Sequence, residues 1–282
     1  MGTYPVVVVD LSSHNTIESW DAMKAAGVVG VILKSTQGTF YVDKVYAQRK
    51  IEAEAAGLKV GCYHFADASD PVKQAQWFLK NSHWDENTLF ALDWEDPPRR
   101  SDGVAERMKP MSSEQAKVFC EYIYMVTGQR PAIYSGNTAK RELREVKDEF
   151  FGQHRLWLAS YTQEPHTQES WDTYWLWQFQ GDNLGPNYPR QIAGVAGKGI
   201  DTNTGDPVKI VAEWTGGRPN KPNTGELPDM DGDSVKPSIG IDDAAVGAGG
   251  VGVLCSTDWI TAVVVIVIVV TGFVWWKYYR KK

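Results

Sequence analysis

The chain has 282 residues, 43% hydrophobic and 12% aromatic with 23% charged, which excludes global disorder and leaves room for one large domain plus an appendage. Its formal net charge of -6 hides an asymmetry, because Lys277, Arg280, Lys281 and Lys282 all fall at the extreme C-terminus, and the acidic body before them lacks the clustered Lys/Arg face that nucleic acid requires. Cys62, Cys120 and Cys255 form no C-x-x-C pair and cannot build a disulfide framework, so the fold is expected to tolerate a reducing compartment, with Cys255 a candidate for lipidation.

The start, MGTYPVVVVD, has no basic region ahead of its short apolar run and reads as a strand rather than an export signal. Apolar, β-branched runs predict strands at 6–9, 28–33, 60–65, 89–92, 132–134, 156–159 and 174–179, with a short final one at 199–203. Helical spacing between them predicts helices at 17–26, 43–56, 71–81, 113–127 and 138–145, with Gly57 and Gly128 placed to end the second and fourth. Near-continuous apolar strands imply burial on both faces, as in a parallel sheet. Eight of them alternating with helices favour a closed α/β barrel over an open sheet, with a helix-poor last third.

The composition changes after Trp214. Residues 215–258 are rich in Pro, Gly and Asp and read as a flexible linker, which ends the main domain at 1–214. GAGGVG at 247–252 matches G-x-G-x-x-G but follows no predicted strand, so it is linker and not a nucleotide site. Residues 259–276 (WITAVVVIVIVVTGFVWW) carry no charge and would span about 27 Å as a helix. Flanking Trp and Tyr and the basic tail 277–282 complete the pattern of a single C-terminal transmembrane helix in a lipid bilayer, with the tail expected in the cytoplasm.

The chemistry gathers at the C-terminal ends of the predicted strands: Asp10, Lys34, His64, Asp93 with Glu95, Tyr134, Ser160 with Tyr161, Gln178 with Gln180, and Asp201. Carboxylates that follow apolar runs are costly unless paired, hydrogen-bonded or functional. In Asp93-Trp94-Glu95, alternate residues of a strand point to one side, which sets two carboxylates on one cavity with Cα atoms about 7 Å apart. Glycosidic cleavage needs such a pair, one to protonate the leaving oxygen and one to stabilise charge or direct the attacker. Barrel closure would bring Asp10 and Asp201 beside them. The histidines show no metal-ligand spacing and there is no G-x-S-x-G elbow, so neither a metal nor another cofactor is expected and Ser135 is not a nucleophile.

Eight blocks in order carry a resemblance: VVVVDLSSHN around Asp10, LKSTQG from Leu33, AGLKVGCYHF from Ala56, LDWE from Leu92, IYSG from Ile133, WLASY from Trp157, WQF from Trp177 and GIDTN from Gly199. Over residues 5–214 the chain resembles the family-25 glycoside hydrolases, lysozymes (N-acetylmuramidases) common among phage endolysins and secreted bacterial or fungal lysozymes. The resemblance implies an irregular barrel of five β/α units followed by β-rich structure. It also implies a monomeric catalytic domain whose substrate is the peptidoglycan glycan strand, cut at the β-1,4 bond between N-acetylmuramic acid and N-acetylglucosamine. By it Glu95 matches the general acid, Asp93 the group that orients the substrate acetamido, and Asp10 and Asp201 the flanking carboxylates. Attack by the acetamido oxygen and direct attack by water both fit the spacing of the pair.

Tyr63, Tyr134, Tyr161 and Trp177 are candidates to stack on sugar faces, with Lys34, His64 and Gln178 as polar substrate contacts. Two departures stand out: Gln37 occupies a position where many members have Glu, removing a charge partner for Lys34, and the loop 96–110 is long and carries Arg99, Arg100, Arg107 and Lys109. The anchored tail makes a phage endolysin held at the membrane the expected setting. The alternatives are a family-18-like chitinase, which would need Asp where Ala91 stands, a non-catalytic membrane-tethered wall-binding protein, and a holin-like membrane-active tail.

Overall fold

The computed structural model describes residues 4–97, 109–181, 184–186 and 190–216. The membrane helix expected at 259–276, the basic tail, Cys255, most of the linker and the arginines of the 96–110 loop lie outside these residues. No helix among the described residues is long and apolar enough to cross a membrane.

The β-branched runs become β1 (Val8–Leu11), β2 (Gly30–Gln37), β4 (Lys59–Phe65), β5 (Leu89–Asp93), β6 (Ala132–Ser135), β7 (Leu156–Ala159) and β8 (Leu176–Gln180). Each pairs in parallel with the next, while β9 (Thr202–Thr204) lies antiparallel between β8 and β1. Because β1 also pairs with β2, these eight strands close into a barrel. The short β3 (Tyr41–Val42), not foreseen from the sequence, folds back on the end of β2 as a hairpin.

Five helices follow five strands: α1 (Trp20–Ala25), α2 (Tyr46–Ala55), α3 (Pro71–Asn81), α4 (Ser113–Thr127) and α5 (Asn137–Leu143). After the short α6 (Glu149–Gly152), the chain runs through β7, β8 and β9 with no helix described between them until α7 (Pro207–Ala212). The boundaries follow local chemistry. The Asp70 side chain accepts from the Val72 and Lys73 amides with Pro71 at the first helical turn, and Ser112 and Gln115 form a reciprocal capping box. Gly128, at φ 70°, ends α4. The first helix begins at Trp20 rather than the expected 17, because the Ser19 hydroxyl caps it and Ile17 is drawn into a bridge with Val195.

Val8, Ile32, Leu89, Ala91, Ala132 and Leu176 pack together with Trp157 and Tyr134 in the principal core. At the N-terminal ends of the strands that core includes Trp175, Ile210 and Trp214. Trp214 donates its indole N–H to the Val60 carbonyl at 3.1 Å, and the half-buried Arg155 guanidinium donates to the Glu213 and Trp214 carbonyls. The last described residues are therefore part of the barrel, and the polar residues gather at its other end.

Candidate active site

Strand alternation sets the site. In β1 the carboxylate of Asp10 ends the run VVD, and in β5 Asp93 pairs with Phe65 on one side and Tyr134 on the other. Glu95 lies beyond the end of β5, yet the chain stays extended there: the Trp94 amide donates to the Tyr134 carbonyl at 2.9 Å and the Ser135 hydroxyl donates to the Trp94 carbonyl at 2.7 Å. Trp94 is fully buried, stacked on Phe151 at 5.1 Å with its indole N–H on the Met111 carbonyl. That anchor turns Trp94 outward and leaves Asp93 and Glu95 on the same side. Ser135, bonded to Trp94 and accepting from the Ala139 amide, is structural.

The two acids meet Asp10, Asp201, Tyr63, Tyr134, Tyr161 and Trp157 around one small cavity of about 80 Å³. Gly181 makes the approach possible, since a Cβ there would lie 2.7 Å from the Tyr161 hydroxyl and 3.0 Å from an Asp201 oxygen. Burial first, and then the surrounding carboxylates, push the Tyr63 and Tyr134 phenols well above their ordinary range, so both remain O–H donors at neutral pH.

Of the seven residues expected to contact substrate, Tyr63, Tyr134 and Tyr161 line this cavity, whereas Lys34, His64, Trp177 and Gln178 do not. His64 is fully buried on the other face of β4, where its ring bonds Thr36 at 2.8 Å and Gln74 at 3.1 Å and stacks on Phe119. Burial holds this imidazole down to a pKa of about 4, so it is a neutral core residue. Trp177 is likewise turned out, packed edge-on against Tyr4 and Phe179 with its N–H on the Ser160 carbonyl. Lys34 bonds the Gln37 amide oxygen at 2.9 Å and lies over the Phe65 and Tyr41 rings, so Gln37 supplies a neutral partner where a carboxylate was expected to be missed. Gln178 is beneath the cavity, bonded to Asp10, Tyr134 and Tyr161.

Trp157 is the lining residue that sequence reasoning did not single out. The signal was present in WLASY, where it alternates with Ala159 on the face opposite Leu156 and Leu158.

The sequence pattern of glycosyl hydrolases family 25 matches residues 9–186. This chain belongs to that family. A 71-residue stretch, 25% of this chain and 22% of its relative, is 37% identical to an autolytic lysozyme from Clostridium acetobutylicum. A 94-residue stretch, 32% of this chain and 26% of the relative, is 30% identical to a lysozyme of Streptococcus phage Cp-1. These matched stretches thus cover about a quarter of the curated relatives' lengths. The fold of a family 25 lysozyme from Aspergillus fumigatus superposes with a TM-score of 0.60 at 29% identity, covering 75% of this chain and 99% of the other. The family match stops before Asp201, which reaches the cavity only because β9 closes the barrel against β1.

Proposed function

We propose that this family 25 member is a muramidase that hydrolyses the β-1,4 bond between N-acetylmuramic acid and N-acetylglucosamine in peptidoglycan. The observation that carries the reading is the convergence of Glu95 and Asp93 with Asp10 and Asp201 on one cavity. Like charges brought this close favour retention of a proton among them, the condition a general acid requires. Glu95 and Asp201 are half-buried while Asp10 and Asp93 are deeply buried, and Glu95, beside Asp93 at the end of β5, is the carboxyl we assign to reach a glycosidic oxygen. It donates the proton to the leaving oxygen, and Asp93, on the same side of the chain, holds the substrate acetamido. Tyr63 supplies an O–H donor, and Tyr134 and Tyr161, whose hydroxyls donate to Gln178, supply ring faces and acceptor oxygens for sugar. The 80 Å³ cavity is the floor of the site, with the glycan strand lying across its mouth.

The test is turbidity loss of a wall suspension together with appearance of muramic-acid reducing ends. Glu95→Gln is expected to lower both by about 100- to 10,000-fold, the usual worth of a general acid. Retention of full activity by that variant contradicts the assignment.

We further infer that residues 259–276 anchor the enzyme in a bilayer and that it serves as a phage endolysin. Support comes from the uncharged 18-residue segment, its aromatic and basic flanks, and the similarity to a phage lysozyme. The full chain should pellet with membranes through an alkaline wash while residues 1–216 stay in the supernatant. Equal partition of the two would exclude the anchor.

A further inference from the structure

Beneath the cavity an unbroken chain of side-chain hydrogen bonds converges on Asp10. The Trp157 indole N–H, a donor only, bonds the Asn203 amide oxygen at 2.6 Å. The Asn203 amide nitrogen then donates to the Val8 carbonyl at 3.1 Å and to Asp10 Oδ2 at 2.8 Å. Because one end of this amide meets an obligate donor and the other an obligate acceptor, its orientation is fixed: nitrogen faces Asp10. On the other side the Gln178 amide nitrogen donates to Asp10 Oδ1 at 3.2 Å and Oδ2 at 3.1 Å. Its oxygen accepts from the Tyr134 hydroxyl at 2.8 Å and the Tyr161 hydroxyl at 2.7 Å. In this orientation Gln178 gives its amide donor to Asp10 and its amide acceptor to the two phenols, the arrangement that suits a charged Asp10.

Resting on the muramidase reading, we propose that Gln178 and Asn203 are positioning residues that keep Asp10 as the permanent anion of the cleft, so that the proton used in catalysis resides on another carboxyl. Both Asp10 oxygens accept amide N–H bonds, and the Asn203 donor cannot turn round, so the hydrogen bonding favours the charged form of Asp10. The titratable groups that share the cavity with Asp10 are Asp93 and Glu95 from the β5 end, Asp201 before β9, and the phenols of Tyr63, Tyr134 and Tyr161. Lys34 lies within the neighbouring β2, its ammonium on Gln37. Among these the three other carboxylates oppose ionisation of Asp10, and the two amides offset them. Gln178 has 2% exposure and Asn203 none, and neither lines the cavity, so neither touches the sugar: Asn203 acts through Asp10, and Gln178 through Asp10 and the two phenols it holds.

The test uses the full chain with aspartate labelled at its carboxyl carbon. The Asp10 signal, identified by its loss in Asp10→Asn, is followed by NMR from pH 3 to 8. In Gln178→Leu the Asp10 titration midpoint is expected to rise by about one pH unit or more, as loss of hydrogen bonds to the charged form requires. The acidic limb of the pH–kcat profile should move up with it, a displacement that loosened tyrosines alone would not produce. Gln178→Glu, nearly isosteric and still able to accept from both tyrosines, guards against a folding failure. It can donate to Asp10 only while protonated, so its activity should fall as pH rises through neutrality where the natural enzyme is active. Unchanged Asp10 midpoints in both variants overturn the proposal. The NMR midpoints are independent of turnover, so a chain inactive on walls would refute the muramidase reading while this inference is still decided by titration.

Discussion

His64 and His154 are the residues through which acid should act on stability. Both are buried, His64 between Phe78 and Phe119 and His154 against Phe150 with its Nδ1 on the Pro131 carbonyl. Desolvation is the main cause in each, and each pKa is pushed down to about 4. In the unfolded chain a histidine titrates near 6.5, so between about pH 6.5 and 4 the unfolded state binds more protons. The stabilisation is therefore complete above about pH 6.5 and is lost as pH falls toward 4, with a slope of up to about 1.4 kcal/mol per pH unit for each ring. Urea unfolding at pH 7.5, 6.5, 5.5 and 4.5 measures it. His64→Gln should flatten the dependence over that window, and parallel curves for the variant and the natural chain would show that His64 is not the group responsible. The buried Cys62 thiol, pushed up to about 12 by desolvation, is for the same reason an inert packing group.

At the scale of elements, α7 closes the floor of the barrel. Trp214, just after it, lies so close to β2 that a Cβ on Gly30 would come within 2.6 Å of the indole and 3.0 Å of the Lys59 carbonyl oxygen. Backbone on one side and a packed ring on the other leave little to give. Gly30→Ala is expected to cost about 1–3 kcal/mol, the range for overpacking, read as a lower thermal midpoint. Adding Trp214→Leu should make the pair less destabilising than the sum of the single changes, since the smaller side chain vacates the contact. Strict additivity would mean that the strain lies elsewhere. The helix itself was legible in principle: Asp206-Pro207 repeats the Asp70-Pro71 start of α3, with the Asp206 carboxylate accepting from the Val208 and Lys209 amides. It was missed because six residues are too few for a helical period to stand out.

For the whole molecule, the barrel ends where Arg155 grips the Glu213 and Trp214 carbonyls. A chain shortened to 1–216 should keep a cooperative thermal transition within a few degrees of that of the full chain, and one shortened to 1–205 should lose it, because Ile210 and Trp214 leave the core. Circular dichroism melts decide this, and a stable 1–205 chain would show that the floor of the barrel is dispensable.

Much of this was legible in the amino-acid order. Period and cap residues placed five helices among eight strands, and the alternation in Asp93-Trp94-Glu95 set both acids on one side before any tertiary contact was known. What local pattern could not decide was which face of a strand looks inward. In a barrel wrapped by helices both faces are buried, so CYHF and LWQFQ carry no contrast between a wet and a dry side. Only closure through the antiparallel β9 settled that Gln178 turns in to hold Asp10 while His64 and Trp177 turn out into the surrounding layer. The sequence by itself determined which residues stand at the strand ends. The tertiary structure decided which of them share a cavity, because that depends on barrel closure, which joins residues nearly 200 positions apart, as Asp10 and Asn203 show.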